Sequence, residues 1–213
     1  MTNDYEGLKK GTTTIGVVGK DCVVMGTEKR ATMGTMIAHK TTQKLFKVDT
    51  HIGLAVAGLV GDAQILARYL TAEAELYRLK HENGMTIKAA STLMSNILSA
   101  RRMDPYWVQL LIGGVDAEGG HVYSLDPAGG SIEDTYVSAG SGSPFAYGVL
   151  EDYYKDNLSA EKCIELVIRS LTIAMSRDSA SGNGANIAVI TKDKFEALSE
   201  KEIEDRKARL GIK

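Results

Sequence analysis

Gly11-Thr-Thr-Thr-Ile-Gly-Val-Val18 runs through Gly19-Lys-Asp21 into Cys22-Val-Val-Met-Gly-Thr-Glu28, followed by Lys29-Arg30. Both runs are rich in β-branched residues, which suit a pleated, half-buried surface. The glycine-led tripeptide between them reads as a hairpin turn. Residues 12–18 and 22–28 are therefore expected as a strand pair. Leu45–Val48 and Ile52–Ala57 make a second pair around Asp49-Thr50-His51.

Further along, the period changes. Ala63, Leu66, Ala67, Leu70, Ala74 and Tyr77 recur at helical spacing, predicting a helix over 62–81 that Asn83-Gly84 stops. Ala90, Met94, Ile97 and Leu98 mark a second helix from about Ile87 to Arg101, closed by Asp104-Pro105. Three strands are expected at 108–115, 121–125 and 133–139. Ser143-Pro144 opens a helix to about Tyr154, with proline near the first turn where its missing N–H does no harm. Ser159 caps another helix reaching Met175. A late strand follows at 186–191, and Ser199-Glu-Lys-Glu begins a charged terminal helix. This order is not a βαβ alternation. Hairpin-linked strands in blocks, with helices layered outside, predict an α+β fold of antiparallel sheets.

The chain has 213 residues, enough for one domain with a sizeable core. Charges of 25 basic and 27 acidic residues give net −2, which argues against a nucleic-acid groove driven by bulk charge. No apolar run reaches the roughly 20 residues of a membrane helix, and the first eleven residues lack the apolar core of a secretory signal. Cys22 and Cys163 are far apart in sequence and are expected as reduced, partly buried thiols. The four histidines are scattered without metal-ligand spacing, so no metal site is expected. No GxSxG elbow and no phosphate-loop motif is present.

The chemistry-bearing candidates start at Gly11–Thr12. Thr-rich strand starts are common, so the plain reading is structural. Cutting the Gly11–Thr12 bond, however, gives Thr12 a free α-amine beside its own hydroxyl. Such an amine has a pKa of about 7.7–8.0, suited to general-base work at neutral pH, and it is one recognised activator of a threonine nucleophile. Glu28 and Arg30 share strand parity, and the hairpin returns Glu28 toward the chain start. A lysine such as Lys44 held near Thr12 lowers the pKa of the attacking group, with Glu28 offsetting the burial of its charge. The alternative for this set is a surface ion pair. Ala57-Gly58-Leu-Val-Gly61-Asp62 ends a strand and opens a helix, where a backbone N–H can face an oxyanion; a plain glycine turn is the alternative. Gly140-Ser141-Gly-Ser-Pro144 and Arg177-Asp178-Ser-Ala-Ser181-Gly182 are either solvated turns or polar loops able to hold an ammonium group.

Taken in order, these segments resemble the β subunits of archaeal-type 20S proteasomes. The resemblance runs from Thr12 to near the C-terminus. It is carried by Thr12–Gly16, Thr27–Arg30, His39-Lys40, Lys44–Phe46, Ala57–Asp62, Gln64, Tyr106–Leu111, Gly140–Pro144, Tyr147–Leu150 and Arg177–Gly182. It implies a four-layer α-β-β-α sandwich of two antiparallel sheets, the N-terminal-nucleophile hydrolase fold. It implies an autocleaved pro-segment, residues 1–11, and a single catalytic domain, residues 12–213. Thr12 then matches the nucleophile, with its freed amine as base. Lys44 and Glu28 match the active-site lysine and its acid, and Gly58 the oxyanion donor. Asp178, Ser141 and Ser181 match the residues that position Thr12 and its amine. Arg30 has a supporting role. Main-chain groups of Thr32 and Gly58 pair with an extended peptide by strand addition. Ala31 and Val56 line the pocket for the side chain before the cut, so cleavage after apolar residues is expected.

The resemblance further implies a threonine endopeptidase made as a zymogen and needing no cofactor. It implies a cytoplasmic particle of two stacked seven-membered β rings, capped by α-subunit rings and fed polypeptide by an ATP-dependent unfoldase, with no nucleic-acid or membrane partner. Three alternatives stand beside it: an inert ring subunit, a simpler bacterial two-ring peptidase of the same fold, and an unrelated binding module.

Overall fold

The computed structural model describes residues 11–212. The expected pro-segment thus lies outside the described residues except for Gly11.

In chain order the elements are β1 (Thr14–Val18), β2 (Val23–Glu28), β3 (Ala31–Met33), β4 (Met36–His39), β5 (Leu45–Lys47), β6 (Ile52–Gly58), α1 (Val60–His81) and α2 (Ile87–Ala100). Then come β7 (Val108–Val115), β8 (Gly120–Leu125), β9 (Ser131–Asp134), β10 (Tyr136–Ala139), α3 (Ser143–Tyr153), α4 (Ala160–Arg177), β11 (Ala185–Ile190), β12 (Phe195–Ala197) and α5 (Glu200–Arg209). One five-stranded sheet has the order β10-β1-β2-β11-β12 and the other β5-β6-β7-β8-β9, with β3-β4 a separate hairpin. Every strand pairing is antiparallel.

Strand alternation builds the layers. In β2, Val23 and Met25 point between the sheets, whereas Val24 points to the helix side. In β7, Leu111 faces the other sheet while Leu110 and Ile112 face helices α1 and α2. Leu66, Leu70, Met94 and Leu98 cover that outer face of the second sheet. Val167 and Leu171 of α4 and Leu150 of α3 cover Ile15 and Val17 of the first. The result is helices, sheet, sheet, helices. Both faces of each sheet are buried, so the central strands carry near-continuous apolar runs.

Several expected boundaries shift for local reasons. The stretch 133–139 is two strands in different sheets. Asp134 turns back on the chain, its carboxylate accepting from the Thr135 N–H at 2.7 Å. Thr135 then passes its carbonyl to the Val18 N–H, so the following residues join β1. Helix α1 starts at Val60, two residues early. Glu82, not Asn83-Gly84, adopts the left-handed cap with φ 58°. Gly84 instead leaves room for the His51 ring, which a Cβ there would meet at 2.5 Å. Helix α2 ends at Ala100, before Asp104-Pro105. The hairpin β3-β4 and strand β12, of three or four residues each, are too short to show a period in sequence. The Ser159 and Ser199 caps form, the latter as a full capping box with Glu202.

Candidate active site

The first hairpin delivers both its ends to one place. Thr14 pairs with Thr27, and the Glu28 N–H donates to the Thr13 carbonyl at 3.2 Å. Thr12 and Glu28 are thereby neighbours, and both are buried. Lys44 enters from the residue before β5, which pairs with β6 of the other sheet. The site therefore sits where the two sheets meet at one end of the sandwich.

Lys44 Nζ donates to Thr12 Oγ1 at 2.9 Å, to the Arg30 carbonyl at 2.5 Å and to Glu28 Oε1. Glu28 Oε2 accepts from the Arg30 N–H at 2.6 Å and the Gly182 N–H at 3.0 Å. Glu28 is 0% exposed and Lys44 7%, which removes the surface ion pair as a description. Burial pushes the Lys44 ammonium down toward its neutral form, opposed by Glu28. Burial likewise raises the Glu28 carboxyl, opposed by Lys44 and by the two backbone donors. The ammonium is thus saturated with acceptors, one of which is the Thr12 hydroxyl.

Thr12 Oγ1 in turn donates to the Gly11 carbonyl oxygen at 2.6 Å. The Thr12 N–H, an amide nitrogen in this intact chain, donates to Ser141 Oγ at 3.2 Å. Ser141 Oγ donates to Asp178 Oδ2 at 2.5 Å, and Ser181 Oγ donates to the same oxygen at 2.6 Å. Asp178 Oδ1 accepts from the Ala180 N–H at 3.1 Å. Asp178 caps the end of α4, and Ser141 immediately precedes the α3 cap Gly142, so the helix pair on the first sheet fixes both. Ser181 Oγ meets Thr13 Oγ1 at 2.8 Å, so it braces the residue after the expected nucleophile.

Arg30 lies between β2 and β3, outside any strand, so strand parity with Glu28 does not apply. Its guanidinium instead reaches the Ser179 carbonyl and Asn183 Oδ1, both at 2.8 Å. It thereby ties down the 179–183 loop that supplies the Gly182 N–H. Gly182 leaves room for that guanidinium, which a Cβ there would meet at 2.4 Å.

A cavity of about 280 Å3 opens beside Thr12. Ala31, Thr32, Val56, Gly58 and Lys44 line it, as does Val60 at the start of α1. Met33, Ala38 and Ala63 add to its largely apolar wall. Gly58 has φ 134°, and a Cβ there would strike the Trp107 carbonyl oxygen at 2.1 Å. Asp62 in the first turn of α1 accepts from the Trp107 N–H at 2.9 Å, holding the strand-to-helix turn against β7.

Two residues not singled out from the sequence as site residues complete the frame. Gln109 on β7, register partner of Ala57, accepts through Oε1 from the Gly140 N–H at 3.1 Å. It links the sheet carrying Gly58 to the loop carrying Ser141. Thr13 is the other. Its hydroxyl would meet a Cβ on Gly142 at 2.0 Å, so that glycine is fixed by Thr13. Both lie inside segments that carry the family resemblance, Gln109 in Tyr106–Leu111 and Thr13 in Thr12–Gly16. Among the described residues no group of His, Cys, Asp or Glu is placed to hold a metal ion, and no helix is long and apolar enough to cross a membrane.

The sequence matches the family model "Proteasome subunit" over residues 8–190. It is 52% identical over 206 residues to the proteasome subunit beta of Thermoplasma acidophilum, covering 96% of this chain and 97% of that one. It is 52% identical over 205 residues to that of Methanothermobacter thermautotrophicus, with the same coverage, and 54% identical over 196 residues to that of Methanosphaerula palustris, covering 92% and 93%.

Proposed function

The chain belongs to the proteasome subunit family, among the archaeal-type β subunits of the 20S core particle, and on that premise we propose that it is a threonine endopeptidase whose nucleophile is Thr12. The observation that carries this reading is the Lys44 ammonium, buried against Glu28 and donating to Thr12 Oγ1 at 2.9 Å.

Activation comes first. Thr12 Oγ1 already touches the Gly11 carbonyl oxygen. Attack of that hydroxyl on the Gly11 carbonyl carbon breaks the C–N bond to Thr12 and leaves an ester on Oγ1, which water hydrolyses. The reaction is intramolecular, so proximity contributes up to about 7–11 kcal/mol. Residues 1–11 leave, and Thr12 gains its amine. That amine, held at Ser141 Oγ with Asp178 behind it, takes the proton from Oγ1 in each later turnover. Lys44 keeps a positive charge beside the oxygen as it becomes nucleophilic, and Glu28 keeps Lys44 in place.

An extended peptide lies along the main chain of Thr32 and Gly58. The Gly58 N–H stabilises the oxyanion, an acyl-ester forms on Thr12, and water releases the second product. The side chain before the cut enters the cavity walled by Ala31, Val56 and Val60. None of these three carries a charge or a polar group, so cleavage after apolar residues follows. The subunit works in the cytoplasm inside two stacked β heptamers between α rings, on unfolded polypeptides delivered by an ATP-dependent unfoldase.

The test is Thr12→Ala and Thr12→Ser, each co-expressed with an α subunit. The Ala protein is expected to retain residues 1–11 by intact mass and to hydrolyse no peptide. The Ser protein is expected to retain part of both activities. Peptidase activity in the Ala protein, or retention of residues 1–11 in an assembled wild-type particle, would sink the reading.

A further inference from the structure

The two cysteines meet. Cys22 directly precedes β2 and Cys163 lies in the first turn of α4, and both are buried, at 3% and 0% exposed. Gly19, in the turn between β1 and β2, shows how close they come. A Cβ at Gly19 would lie 2.8 Å from Cys163 Sγ and 2.9 Å from Cys22 Sγ, so both sulfurs border one gap that only glycine leaves open. The two sulfurs thus flank the space of one missing methyl group.

The surrounding backbone holds this arrangement in register. The Lys20 N–H donates to the Leu158 carbonyl at 2.9 Å, and Tyr154 Oη donates to the Val18 carbonyl at 3.3 Å. Cys163 Sγ itself lies 3.9 Å from the Leu158 carbonyl. The β1-β2 turn is therefore fastened to the connection between α3 and α4, beside the cysteines. A disulfide needs its two sulfurs brought near each other by the fold, and here both border the same gap.

We propose that Cys22 and Cys163 are a built oxidation site, closing to an intramolecular disulfide when a hydroperoxide reaches the chain. Its chemistry is that of a nucleophilic and a resolving cysteine. The neighbouring Cys163 draws the Cys22 thiol below its ordinary range, and the same neighbour together with burial pushes the Cys163 thiol up. Cys22 thiolate attacks one peroxide oxygen, breaking the O–O bond and giving a sulfenic acid plus hydroxide. The Cys163 sulfur then attacks the sulfenic sulfur, the S–O bond breaks, and the departing hydroxide takes the Cys163 proton as water. Two thiols and one hydrogen peroxide become one disulfide and two waters. The cross-link joins positions far apart in sequence, so it restricts the unfolded chain strongly. It lies at the end of β1 remote from Thr12, so it staples the scaffold without entering the catalytic site.

The full chain is treated with hydrogen peroxide and followed by intact mass, peptide mapping and thermal unfolding. Met103, 92% exposed, serves as an internal gauge because its sulfoxide shows that oxidant was sufficient. The expected result is loss of two hydrogens and a peptide linking residues 22 and 163. Neither thiol is then alkylated after denaturation, and the midpoint rises by roughly 5–15 °C, reversed by dithiothreitol. Cys22→Ala and Cys163→Ala should each keep one alkylatable thiol and show no such rise. Two alkylatable thiols after Met103 is fully oxidised would overturn the proposal. So would added oxygen at either cysteine without the linking peptide, or a cross-linked chain that melts no higher than the reduced one.

Discussion

Removing the Lys44 ammonium tests whether the buried pair performs chemistry or only holds the fold. Three variants separate the two roles: Lys44→Met, Glu28→Gln, and the double substitution. In Lys44→Met the Glu28 carboxylate keeps the Arg30 and Gly182 N–H donors but loses its countercharge. In Glu28→Gln an amide N–H can point at an ammonium that is only 8% exposed at its side chain. Leaving one charge of a buried pair unpartnered costs about 3–5 kcal/mol. For a domain of this size that lowers the melting midpoint by roughly 6–20 °C. Removing both charges avoids the orphan, so the double variant should recover at least about 1 kcal/mol relative to the sum of the singles.

Activity should behave differently. Both variants lacking Lys44 have lost the donor 2.9 Å from Thr12 Oγ1, and each should fall by about 100-fold or more in kcat with the pro-segment retained. Urea unfolding with an unchanged m-value gives the stabilities, and peptide hydrolysis with intact mass gives the chemistry. Single variants within about 1 kcal/mol of wild type would show an ordinary solvated ion pair and refute the burial argument. A double variant that regains activity along with stability would refute the catalytic one.

Two further predictions rest on single contacts. Gly58→Ala places a Cβ 2.1 Å from the Trp107 carbonyl at φ 134°, and should lose at least about 1–3 kcal/mol in denaturant unfolding. Gly61→Ala, three residues on and with open space around it, should be neutral or slightly stabilising, and equal losses at both positions would contradict the steric account. Asp49 carries the pH prediction. Burial pushes its carboxyl up, but the Thr50 N–H and the Arg78 guanidinium outweigh that and hold it below the ordinary range. Its folded pKa is below its unfolded one of about 3.9, so its contribution is present above that value and lost as pH falls through the folded pKa. Asp49→Asn should be less stable than wild type at neutral pH, and the gap should close on acidification. A gap that stays constant with pH would remove Asp49 from the acid response.

Much of the architecture was legible locally. The β-branched runs around Gly19-Lys20-Asp21 fold as β1 and β2 because two-residue alternation and a turn signal are properties of adjacent residues. The helical spacing of Ala63, Leu66, Leu70 and Ala74 gives α1 for the same reason. Where local signals competed, reading failed. Residues 133–139 look like one strand, yet the chain changes sheet at Thr135, because the decision lies with the Asp134 carboxylate and the distant Val18 N–H.

By itself, the amino-acid sequence determined the layer-forming elements and the kinds of side chain on offer for the proposed chemistry at Thr12. Only the tertiary structure decided that Glu28 and Lys44 share a buried contact rather than a solvated one. It also decided that Ser181 braces Thr13, that Gln109 ties one sheet to the Ser141 loop, and that Cys22 and Cys163 border one gap beside Gly19. Periodicity is set by neighbours along the chain, so a sequence carries it openly. Burial and pairing are set by residues brought in from 16 to 168 positions away, and no local pattern encodes which of them arrive.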